Sequence, residues 1–282
     1  MTSWRHAVGC LFVLLLVGCP ASTPVKPLES SEDTKYIGDE EKRLWDGSHD
    51  FDVAMQKSGQ VLDDPAATRY LQEIMDRLYP EFRGAIRVKI ARSPHLNAFA
   101  LPNGSIYFHL GLLARLDNEA QLATVLAHEG AHFVRKHSFQ QRNTIISSSL
   151  FATATALVGI PIIGDVIANS SIYGFSRDLE RDADRIGYER LLKAGYDPRE
   201  SYKAFEHLAA EVRALEIKEP FFFSTHPKFE ERIISYKELV AAHPPGGKDR
   251  KSAFPRGNAV LTPRMFEKRS VHESIQKCDI GP

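Results

Sequence analysis

The chain has 282 residues, 43% hydrophobic and 26% charged, with 36 basic residues against 36 acidic ones. That length allows a sizeable core in one large domain or two small ones. The balanced charge argues against nucleic acid as a main partner, because phosphate binding needs a surplus of Lys and Arg.

The first residues, MTSWRHAVGCLFVLLLVGCP, place one Arg before an apolar run from Ala7 to Val17 that is short for a membrane span. The run ends in Leu16-Val17-Gly18-Cys19, which resembles the lipobox of bacterial lipoproteins. That resemblance implies a signal peptide over 1–18, cleavage before Cys19, and acyl chains on Cys19 that each anchor by about 0.8 kcal/mol per buried methylene. An ordinary secretory signal with a coincidental cysteine is the alternative. Pro20 follows Cys19, with no Asp to suggest inner-membrane retention, which favours the periplasmic side of the outer membrane. Cys10 then leaves with the signal and Cys278 has no partner, so any metal site must use His and carboxylates.

Residues 19–37, polar and rich in Pro and Ser, read as a flexible tether to a domain over 38–245. Helical patterns follow. In DDPAATRYLQEIMDRLYP, Asp64 is an N-cap, Pro65 the first helical residue, and Leu71, Ile74, Met75 and Leu78 form one stripe. AIRVKIA alternates as a strand, and NAFALPNGSIYFHL offers two extended runs joined by a tight turn at Asn103-Gly104. A helix starting near Asp117 or Asn118, with Asn118 and Gln121 at capping-box spacing, runs through EAQLATVLAHEGAHFVRKHS. Further helices are expected over 178–194, closed by Gly195, over 198–214 and over 227–242. Residues 246–282, rich in Pro, Gly and charge, read as an irregular tail.

The stretch LAHEGAH, residues 126–132, sets two histidines four apart with a glutamate after the first. Residues four apart on a helix share a face, so His128 and His132 can offer ring nitrogens to one Zn²⁺ at about 2.0–2.1 Å. Glu129 lies beside that face and can reach a water on the metal. A catalytic zinc needs a third protein ligand and an open position. SRDLERDADRIG supplies a candidate: Glu180 and Asp184, four apart on another helix, face the same way. Glu180 can complete a His2Glu set, and Asp184 can accept from the far ring nitrogen of a ligating His. Glu180 could instead pair with Arg177, Arg181 or Arg185 on the surface. His137, five beyond His132, falls on a different face of a continuous helix and reads as structural. His109 reads as a strand residue. Gly130 is unusual in a helix interior, costing about 1 kcal/mol against Ala, but it is not a ligand position.

Across roughly residues 60–240 the chain resembles the gluzincin metallopeptidases of the HtpX / CAAX-prenyl-endopeptidase type. The blocks that carry this are NAFALPNGSIYFHLGLL, LATVLAHEGAHFVRKHS, SRDLERDADRIG and STHPKFEERI, in that order. The resemblance implies an α+β, zincin-like domain, mostly helical with a small sheet or hairpin beside the HExxH helix. It implies one zinc per chain on His128, His132 and Glu180, with Glu129 as general base. It also implies a substrate or transition-state role near His226 and Arg232. His226 can cap a helix at Pro227, approach the metal as an inhibitory ligand, or contact substrate; Arg232 can donate to an oxyanion or form a plain salt bridge.

The apolar insert over 144–169 begins with 21 uncharged positions, residues 144–164. A single crossing of a hydrocarbon layer about 30 Å thick would separate the histidines from Glu180. A helical hairpin turning near Gly159-Ile160-Pro161, buried over the site or in an oligomer contact, fits better, with contact at a membrane surface as the second reading. The function expected is a zinc endopeptidase in envelope quality control, acting on unfolded or misassembled outer-membrane or periplasmic proteins. The alternative is a chaperone-like assembly factor that binds extended polypeptides with little cleavage.

Overall fold

The computed structural model describes residues 25–148, 174–214 and 229–243. A 3-10 turn, Ser31–Tyr36, is capped by Ser30 and leads into α1, Asp39–Lys57. Helix α2, Pro65–Leu78, starts as its sequence dictates: the Asp64 carboxylate accepts from the amides of Ala66 and Ala67, and Pro65 occupies the first turn, where its missing donor costs nothing. The buried face of α2 is Ala67, Leu71, Ile74, Met75 and Leu78, the helical stripe expected from the sequence.

Three strands follow: β1, Arg87–Ala91, β2, Ala98–Ala100, and β3, Ser105–His109. Their order is β1-β3-β2, so β3 is central, parallel to β1 and antiparallel to β2. The β2–β3 turn closes through the Gly104 amide on the Leu101 carbonyl at 3.0 Å, with Gly104 at φ 82. A side chain there would also run into the Ala85 carbonyl, so glycine answers both needs. Alternation along β3 decides the layers. Ile106 and Phe108 join the main core with residues of α2, while Tyr107 packs against Phe51 and Phe99 on the other face.

Helix α1 is fixed to that second face by Asp52. Its carboxylate accepts from Asn103 Nδ2, Ser105 Oγ, the Tyr107 hydroxyl and Lys89 Nζ at 2.6–3.0 Å. Burial opposes the charge, but these four donors outweigh it and hold the Asp52 pKa below the usual carboxylate range.

After α3, Leu110–Leu113, comes α4, Glu119–Val134, in which every residue from Ala120 onward is buried. Helix α5, His137–Ser148, is separated from it by Lys136 at φ 55, among the described residues the one non-glycine position with positive φ. The expected single helix through residue 138 is therefore two helices. Then come α6, Arg177–Ala194, α7, Arg199–Ala214, and α8, Phe229–Ala242. Gly195 closes α6 in the left-handed conformation, as its position past the last apolar residue predicts. Helix α4 lies between α2, β2, α6 and α7, and α8 packs on α6 and α7. Among the described residues no helix is long and apolar enough to cross a membrane. The signal, Cys19, nearly all of the insert, His226 and the tail lie outside the described residues.

Candidate metal centre

Helix α4 presents His128, Glu129 and His132 from the middle of the core. Asn118 caps the helix by accepting from the Gln121 amide at 3.0 Å. The interior position of α4 means that each of its polar side chains needs a protein partner.

His128 and His132 point their Nε2 atoms at one another, 3.0 Å apart. Glu180, on α6, brings one oxygen to 3.4 Å from His128 Nε2 and the other to 3.4 Å from His132 Nε2. A tetrahedral zinc with bonds of about 2.0–2.1 Å requires donor atoms about 3.3–3.4 Å apart. The triangle fits. All three side chains are buried, and among the described residues they form the one such group of three donors.

Helix α6 reaches this position because Gly187 permits it. A Cβ at residue 187 would lie 3.1 Å from the His128 amide nitrogen and 3.3 Å from its Cα. Residues 180, 184 and 187 share one helix face, so the glycine and both carboxylates meet α4 together.

The outer nitrogens of the two imidazoles are served differently. His128 Nδ1 lies 2.9 Å from Asp184 Oδ1, and that same oxygen accepts from Arg232 Nη2 at 2.6 Å. His132 Nδ1 lies 3.0 Å from His137 Nδ1, and its ring stacks on Phe175 at 4.0 Å between centroids. Burial and the Arg232 charge oppose protonation of His128, yet Asp184 and Glu180 outweigh them and push its pKa up to about 9. The carboxylates of Asp184 and Glu180 thus set negative charge around His128, a field that also favours a divalent cation. Asp184 stays ionised: burial works against it, but Arg232 and His128 bring its pKa below the usual value.

Residues 65–240 match Peptidase family M48. The chain belongs to peptidase family M48. Among curated M48-like relatives, a putative beta-barrel assembly-enhancing protease of Vibrio cholerae serotype O1 is 31% identical over 208 residues, covering 68% of this chain and 43% of the relative. The beta-barrel assembly-enhancing protease of Escherichia coli (strain K12) is 28% identical over 195 residues, covering 64% and 40%. The mitochondrial metalloendopeptidase OMA1 of Schizosaccharomyces pombe is 33% identical over 154 residues, covering 54% and 45%. The chain thus spans less than half the length of the relatives it matches.

Within this M48 domain the structure brings His128, His132 and Glu180 together, with Asp184 behind His128 and Glu129 buried next to it on α4. Glu180 is buried beside both histidines in a group that could hold a metal ion, not paired on the surface. Arg232 is buried: it bonds Asp184 and lies over the Phe205 ring at 4.3 Å, so it forms the salt bridge that its position allowed. Its effect on the M48 site passes through Asp184. His137 and Phe175 were missed as neighbours of the site. The backbone turn at Lys136 that brings His137 round leaves no signature in a Phe-Val-Arg-Lys-His stretch. Gly130 is explained by packing: a Cβ there would lie 2.3 Å from Cε2 of the buried Tyr79, whose hydroxyl donates to the Ala127 carbonyl.

Proposed function

We propose that this chain is a zinc-dependent endopeptidase of the bacterial envelope, one zinc per chain, held through an acylated Cys19 on the periplasmic side of the outer membrane. Its substrates are unfolded or misassembled envelope proteins. The observation that carries the reading is the convergence of His128 Nε2, His132 Nε2 and Glu180 on spacings of 3.0–3.4 Å, with a glutamate beside the first ligand. Membership of a peptidase family supports it, as do relatives named for proteolysis and for beta-barrel assembly. The lipobox-like Leu16-Val17-Gly18-Cys19 supports the location.

A zinc held by His128, His132 and Glu180 would supply Lewis acidity, lowering the pKa of water toward about 7 and polarising a scissile carbonyl. Glu129 accepts the proton of the attacking water and delivers it to the leaving amine. Asp184 and Arg232 keep His128 in the tautomer that leaves Nε2 free to ligate. Strand β2 has one side paired with β3, and among the described residues no strand pairs with its other side. An extended polypeptide can add there as a further strand, close to α4. Recognition through backbone groups gives loose side-chain specificity, which suits unfolded substrates.

The test compares zinc content and casein cleavage of the purified chain with those of Glu129→Gln. The variant is expected to keep its zinc and lose turnover. Proteolysis at the wild-type rate would remove the base assignment, and a wild type that binds no zinc would remove the enzyme.

A further inference from the structure

We propose that His137 is a positioning residue for the metal centre, fixing the tautomer and orientation of His132; this rests on the metal-centre reading above. Its side chain is fully buried. Nδ1 meets His132 Nδ1 at 3.0 Å and Nε2 meets Asp182 Oδ2 at 3.2 Å. Asp182 is itself held by Arg135 Nε at 2.6 Å and Arg185 Nη2 at 2.7 Å.

Proton placement along this chain has one solution compatible with ligation. His132 Nε2 faces Glu180 and His128, so it must carry a lone pair rather than a proton. The ring proton then sits on Nδ1 and is donated to His137 Nδ1. That nitrogen accepts, so the proton of a neutral His137 is on Nε2, where Asp182 receives it. Reversing the first bond would put the proton of His132 on Nε2 and abolish the ligand. His137 thus selects the ligating tautomer of His132, as Asp184 does for His128. The two differ in kind: one imidazole is backed directly by a carboxylate, the other through a second imidazole.

The backbone is built for this contact. On an unbroken helix a residue five positions on would lie about 140° away around the axis. Lys136 breaks the helix at φ 55, a conformation that disfavours any side chain beyond glycine, and its Nζ is anchored on Glu41 at 2.8 Å. Observed strain next to the site is where a function is to be sought.

Zinc affinity of the whole chain, measured by competition with a chromophoric chelator, tests the proposal together with the visible spectrum of the cobalt(II)-loaded protein. His137→Leu is similar in bulk but offers no acceptor. It is expected to weaken zinc binding about 10–100-fold and to alter the cobalt spectrum. His137→Asn places an amide oxygen near the former Nδ1 and should recover most of the affinity and the wild-type spectrum. Wild-type affinity in His137→Leu overturns the proposal, as does a folded His137→Asn as defective as the leucine variant. Should His137→Leu fail to fold, Asp182→Ala, which removes the acceptor, replaces it: weaker zinc binding with an unchanged circular dichroism spectrum supports the relay, and unchanged binding overturns it. A wild-type chain that takes up neither metal fails the metal-centre reading instead.

Discussion

Replacing Gly187 by alanine should separate the stability of the fold from the quality of the metal site. The added Cβ would stand 3.1 Å from the His128 amide nitrogen and 3.3 Å from both the Ala127 carbonyl carbon and His128 Cα. Comfortable contacts between such atoms are about 3.5–4.0 Å, so α6 must retreat from α4 by roughly 0.3–0.5 Å. Metal–donor distances tolerate only about 0.2 Å. Glu180 and Asp184 ride on the same face of α6, so the retreat moves a ligand and the 2.9 Å bond to His128 together. Zinc affinity should fall about 10–100-fold, or about 1.4–2.8 kcal/mol. The apo fold, in contrast, gains about 1 kcal/mol of helix propensity that offsets the packing strain. The assay is thermal unfolding of apo and zinc-loaded protein beside a zinc titration. The expected result is an apo Tm within a few degrees of wild type and a smaller increment on adding zinc. Unchanged zinc affinity would show that the close helix approach does not set the site.

Gly130→Ala should destabilise despite the better helix propensity, by about 1–3 kcal/mol in urea unfolding, because the Cβ at 2.3 Å from Tyr79 must displace a buried ring and its bond to the Ala127 carbonyl. A variant as stable as wild type would contradict that packing. Asp52→Ala leaves four donors without their acceptor, Lys89 among them, and should cost about 3–5 kcal/mol by denaturant titration; a loss below 1 kcal/mol would mean that α1 is held by its apolar contacts alone. Burial, then the nearby His95, push the His109 pKa from 6.5 down to about 4, and its Nδ1 has no hydrogen-bond partner. The unfolded chain therefore binds the proton first, so stability is whole above pH 6.5 and declines as pH falls toward 4, by up to about 3 kcal/mol. His109→Gln should flatten the stability profile in that window, and an unaltered profile would assign the acid loss elsewhere.

What was legible in the sequence obeys short-range rules. Asp64 before Pro65, the Asn103-Gly104 turn, Gly195 after its helix, and paired side chains four apart at 128/132 and 180/184 all depend on neighbours within one turn. Features that depend on two distant segments meeting were not legible. Asp52 sits among charged residues in DEEKRLWDGSHDFD, yet it is buried because residues 89, 103, 105 and 107 come to it. The parallel pairing of β1 with β3 has no local mark, since β2 intervenes in sequence but not in space. Arg232 could be placed near the site, but not on Asp184.

The donors and acceptors along α4 show why His132 needs a partner behind its ring. Helix α4 has no exposed face past its first residue, so each polar side chain on it must be satisfied by protein or metal. Gln121 bonds Glu200 and the Asp117 amide, Thr124 bonds the Ala120 carbonyl, and His128 has Asp184. A ligating His132 needs an acceptor of its own behind the ring, and Asp184 is already shared between His128 and Arg232. A second acceptor behind His132 is therefore required. The assumption of an unbroken helix past Val134 hid the nearest candidate, and the backbone turn at Lys136 is what brings it into place.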